Sequence, residues 1–112
     1  MLKFQILQIK DIANTGYAFR GYDADRFNLK DYVEVYAGDV DEQLFPVEQY
    51  RELHDVVVLG TDVAEACFIK FNYDRPEDFK GHSLSVSDLV RVIGDNKIRL
   101  YYCDIHGWVR IK

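Results

Sequence analysis

Only two cysteines, Cys67 and Cys103, occur in the 112 residues, and both sit among apolar neighbours, where a thiol behaves as a small hydrophobe. That supply builds no disulfide framework, and two free thiols are the expectation. Runs of Lys and Arg are missing too. With 19 acidic and 14 basic side chains the net charge is −5, whereas a protein that neutralises phosphates carries a basic patch. Direct nucleic-acid binding is therefore not expected. Mimicry of nucleic acid by Asp23, Asp25, Asp31, Asp39, Asp41 and Glu42 is disfavoured by the basic residues among them; a solvated acidic surface is the simpler account. The longest apolar run, Val56 to Leu59, is far too short to cross a bilayer. Met1 to Gln5 holds no apolar core of leader length, so the expected compartment is the cytoplasm. Gly81 stands alone, without a phosphate loop or dinucleotide fingerprint, and no cofactor is expected. Repeats, low-complexity tracts and linkers are absent, which leaves one domain over residues 1–112.

Apolar residues are plentiful, at 48%, and 14% of the chain is aromatic, enough to exclude a disordered chain. Leu2 to Ile9 is apolar on both alternating sets, as in a strand that is central or covered on both faces. Tyr17 to Tyr22 reads as a second short strand, and Asp23 as the cap of one helical turn through Phe27. Tyr32 to Tyr36, β-branched and aromatic, is a strand ended by Gly38. Val47 to His54, after Pro46, reads as a short helix, and Val56 to Leu59 as a brief buried strand or linker punctuated by Gly60. Thr61 or Asp62 then caps the principal helix, about residues 61–72, with Ala64, Cys67, Phe68 and Phe71 on one face. Leu84 and Val86 alternate with Ser83, Ser85 and Ser87, the period of a strand with one buried face. From Asp88 on, apolar runs at 89–93, 98–103 and 108–111 are separated by turns at Gly94 to Lys97 and Asp104 to Gly107. Connections this short allow only antiparallel pairing. The expected fold is α+β: an antiparallel or mixed sheet, the helix packed on it, and a C-terminal strand meander. Leu84, Val86, Val90, Val92, Ile98, Leu100, Phe68 and Phe71 should share one core.

The words Arg75-Pro76-Glu77-Asp78-Phe79-Lys80-Gly81-His82-Ser83-Leu84-Ser85-Val86-Ser87-Asp88, followed by Tyr101-Tyr102-Cys103-Asp104 and Gly107-Trp108, resemble the YodL-like family. Phe4 to Gln8 and Val35 to Gly38 resemble its early segments. Cys103 stands at a usually aliphatic position, and Ile105-His106 where small or aromatic residues are commoner. The resemblance implies a small domain of Gram-positive bacteria and their mobile elements, alone or appended to larger proteins. It carries over no catalytic residue, metal or cofactor.

Among chemistry-bearing residues, Cys103 and His106 have the spacing of half a zinc site. The other ligand types, Cys67, His54 and His82, form no second pair, so no metal is expected. Cys103 with His82 or His106 has the composition of a nucleophile and base, but an apolar strand should raise the thiol's pKa. Ser83, Ser85 and Ser87 lack the glycines of a hydrolase elbow, and with Asp88 they are apt to bond local backbone. The leading expectation is a non-enzymatic cytoplasmic binding protein that modulates a larger host or element-encoded protein. Its sharpest form is an anti-defence factor, of anti-CRISPR or anti-restriction type, in a mobile element. The alternatives are a small enzyme or ligand-binding domain using His82, Ser83 and Asp88, or an accessory module normally fused to larger proteins. Binding is expected at His82, Ser85, Asp88, Tyr101, Asp104 and Trp108, with an exposed sheet edge open to homodimerisation.

Overall fold

The structure, a computed structural model, describes residues 2–41, 44, 56–94 and 96–112. Strand β1 (Lys3–Ile9) is followed by a long loop and a 3-10 turn at Leu29–Asp31, then by β2 (Tyr32–Asp39). Helix α1 (Val56–Tyr73) leads through the signature segment into β3 (Leu89–Ile93), β4 (Ile98–Asp104) and β5 (Gly107–Arg110). The strands form one sheet in the order β2-β1-β3-β4-β5, every neighbouring pair antiparallel. The meander and the α+β class are as the sequence implied. Opposite β1, the register jumps from Ile6 facing Tyr36 to Leu7 facing Glu34, so Val35 bulges out of the ladder.

Both faces of β1 are covered, because its two apolar sets serve two cores. On one face Leu2, Phe4 and Ile6 meet Val90, Val92 and Tyr101 of the sheet and Val63, Ala64, Cys67 and Phe71 of α1. On the other, Leu7 and Ile9 meet Leu89, Leu100, Tyr102, Tyr17 and Tyr32, roofed by Tyr22 and Phe27 of the long loop. Aromatic rings fill both. Phe71 lies against Phe4, Tyr36 and Phe79 at centroid distances of 5.9, 4.9 and 5.1 Å, and Tyr102 packs edge-on against Tyr22 at 5.1 Å. Buried tyrosines need a partner for the hydroxyl, and the second core finds them in the backbone around it. Tyr102 donates to the Arg20 carbonyl at 2.7 Å and Tyr32 to that of Ser87 at 2.5 Å.

Several expectations change. The expected single core divides by strand alternation: Leu100 belongs to the second face, Ile98 is 58% exposed, and Val86 and Phe68 are half-buried. Val56 to Leu59 is helix rather than strand or linker; its β-branched run favours a strand by propensity, which tertiary context overrides. The helix therefore starts before Thr61, and neither Thr61 nor Asp62 caps it. Gly60 is a contact point, not punctuation. A Cβ there would lie 2.7 Å from the Tyr101 ring, so glycine lets α1 settle onto β4. Leu84 and Val86 are not in a strand, nor is Tyr17 to Tyr22; both segments are irregular backbone, with turns at 86–87 and 18–19. β2 continues through Gly38 to Asp39. The single turn after Asp23 is present, with Asp23 Oδ1 accepting from the Asp25 amide at 3.0 Å. The helix expected at Val47 to His54 lies outside the described residues.

Candidate functional site

Gln8 continues the alternation Leu2, Phe4, Ile6 beyond the reach of α1, which leaves a polar side chain on an apolar face. It is 2% exposed, and the signature segment covers it. Gln8 Nε2 donates to the His82 carbonyl at 2.8 Å and to Asp88 Oδ2 at 3.1 Å, while Oε1 accepts from the His82 amide at 3.1 Å. Such buried amides persist only when satisfied. Gly81 permits the approach: a Cβ there would stand 2.9 Å from Gln8 Cδ and 3.1 Å from the Val35 side chain.

Ser85 to Asp88 closes as a turn. The Asp88 amide donates to the Ser85 carbonyl at 3.0 Å, and Asp88 Oδ2 accepts from the Ser85 amide at 2.8 Å. Ser87, third in the turn, has φ +84°, the type II geometry that glycine usually supplies. The surroundings hold it there. Its amide donates to the Cys103 carbonyl at 2.8 Å, its carbonyl accepts from Tyr32, and its Oγ accepts from the Phe19 amide at 2.9 Å. Phe19 is itself at φ +64°. Left-handed non-glycine residues cost about 1–3 kcal/mol each and persist where neighbours over-determine them. Thus one turn ties together β1, β2, β4 and the long loop.

Asp88 is 1% exposed. Burial pushes its carboxyl up to about 7, against the pull of the Ser85 amide, the His82 charge and the Gln8 amide. Its Oδ1 lies 3.9 Å from His82 Nε2. His82 Nδ1 meets the Ser83 carbonyl at 2.7 Å; a carbonyl only accepts, so Nδ1 carries a proton. The imidazole is about one-third exposed and tilts against the half-exposed Phe19 ring at 5.7 Å.

Beside this cluster lies an open groove of about 300 Å³. Ser85 and Val86 form one wall, Glu65 and Phe68 of α1 another, and the β4–β5 hairpin the third, through Asp104, Ile105 and Trp108. Trp108 packs edge-on to Phe68 at 6.5 Å and donates from Nε1 to Glu65 Oε2 at 3.0 Å. Asp104 Oδ1 accepts from the Tyr22 amide at 3.0 Å. Ile105 is 65% exposed at the rim. Cys103, in the floor, is held as a thiol up to about 12, first by burial and then by the carboxylates of Asp88, Glu65 and Asp104. His106 is exposed. Among the described residues no three His, Cys, Asp or Glu side chains gather as a metal site.

A family model described as the YodL-like domain matches residues 3–112. The chain belongs to the YodL-like family. No curated protein and no solved structure matches it. In this YodL-like domain the signature therefore has a physical reading: Gly81 admits Gln8, and Ser85 to Asp88 locks the sheet to its loops. Of the expected residues, the structure brings His82, Ser85 and Asp88 into one cluster, and Asp104, Trp108 and Ser85 onto one groove. Tyr101 departs from the proposed surface. It is 4% exposed, under α1, because it alternates onto the helix face of β4. Gln8, Phe19, Glu65 and Phe68 were missed. Only Gln8 left a trace, as the polar break in an apolar alternation. In the described residues no helix is long and apolar enough to cross a membrane.

Proposed function

We propose that this YodL-like domain is a non-enzymatic protein-binding module whose groove accepts an apolar side chain flanked by Lys or Arg on a larger partner. The observation that carries this is the groove itself: Phe68, Val86, Ile105 and Trp108 supply apolar walls, and Glu65 and Asp104 supply carboxylates among them. Partly exposed aromatic and aliphatic side chains bordered by charge are the composition of interaction surfaces. The acids favour a basic partner and speed its encounter, in keeping with the net charge of −5. The non-enzymatic part is supported by the engagement of Asp88 by Ser85 and Gln8 and by the protonated Cys103 thiol. Inhibition of a host defence machine by an element-encoded copy is the biological form of this reading that the family's setting suggests. In the test, random peptides are selected on the immobilised protein. Enriched sequences should share an apolar residue beside Lys or Arg, and Trp108→Ala should weaken their binding at least tenfold while the fold is retained. Enrichment of acidic sequences, or binding indifferent to Trp108→Ala, would overturn the proposal.

A further inference from the structure

The groove wall facing the hairpin consists of Ser85 and Val86, and both belong to the turn that Asp88 closes with its side chain. The carboxylate that shapes this wall is buried, and its Oδ1 points across 3.9 Å to His82 Nε2. We infer that Asp88 and His82 form a proton-operated latch on the groove. Loss of the Asp88 proton draws the Ser85 and Gln8 amides onto Oδ2 and fixes the wall; its gain loosens both. The partner-binding consequence rests on the groove reading above, but the latch is a property of the free protein.

The geometry specifies where the proton goes. Oδ2 already accepts from Ser85 and Gln8, so an added proton belongs on Oδ1, which faces His82 Nε2 across 3.9 Å. Ionisation converts two neutral contacts into charge-assisted bonds, which are shorter and stronger. The titratable groups around Asp88 come from several elements. Tyr32 of β2 and Tyr102 and Cys103 of β4 all sense its charge; burial pushes each of them upward, so all three stay neutral around pH 7. β1 contributes the neutral Gln8. His82 is the neighbour that faces Oδ1, at 3.9 Å. Its ring also touches Phe19.

The experiment is an NMR titration of the free, full chain from pH 5 to 9, following the Ser85 amide, the Val86 methyls and the Trp108 indole N–H. The Ser85 amide proton should move downfield as pH rises, and the two groove reporters should move with the same midpoint. Asp88→Asn should abolish all three titrations. His82→Gln should raise the midpoint, because it removes a cation that favours ionised Asp88. Groove reporters that stay flat while Ser85 titrates would overturn the latch, as would a titration unchanged in Asp88→Asn. If that variant does not fold, an unshifted midpoint in His82→Gln is the overturning result. A failed peptide selection would leave this titration intact, and a flat titration would leave groove binding standing.

Discussion

Asp88 is held in a place where its own charge is unwelcome, and this sets the pH dependence of the fold. Its folded pKa is raised, so the stability it contributes is fully present below about pH 4 and is lost as pH rises through about 7. Asn keeps the shape without the charge. Asp88→Asn should therefore gain stability relative to the parent between pH 5 and pH 8, by about 2–4 kcal/mol. Urea unfolding at the two values measures it, and an equal difference at both would show that the carboxylate is not destabilised by burial. Gly81→Ala should cost about 1–3 kcal/mol through overpacking against Gln8, read as a lower urea midpoint. A second thiol-scale expectation follows from Cys67 and Cys103, both buried and both pushed up by burial. At pH 8 a disulfide reagent should label neither in the native protein and both in denaturant; rapid native labelling would contradict the placement of β4 and α1. Local chemistry of this kind was partly legible beforehand. The affinity of Ser85 and Asp88 for nearby backbone follows from residue type, whereas the identity of the distant acceptor and donor does not. Gln8 reaches Asp88 only because the sheet places β1 beneath the signature.

Among the elements, the strands were easier to read than the helix. Dense apolar runs and the turn residues between them located β3, β4 and β5, since strands covered on both faces are apolar on both alternating sets. The start of α1 was hidden by Val56 to Leu59, whose propensity points the other way, and by Gly60, whose reason is a ring on another strand. Serine alternation at 83–87 imitated a strand although the backbone there is bent by Ser87. The core consequences differ for two neighbours on one helix. Phe71 is fully buried among three rings, so Phe71→Ala should cost about 3–5 kcal/mol. Phe68 is half-buried in the groove and should cost clearly less in thermal unfolding while weakening peptide binding. Equal losses for the two would place Phe68 in the core after all.

The whole molecule turns on the central position of β1. Its ladder with β2 spans the long loop, and its ladder with β3 sets Lys3 opposite Ile93 and Leu7 opposite Leu89. Early and late residues are thus hydrogen-bonded neighbours. Bringing such distant segments together carries its chain-entropy cost before most native contacts form, and domains dominated by distant pairings fold on the millisecond-to-second scale. During synthesis β1 emerges first, yet one of its edges has no partner until Leu89 to Ile93 has left the ribosome. An unpaired strand edge is a template for other chains. The nascent protein therefore passes through a window in which its central strand has an open edge, and the arrival of β3 closes that window.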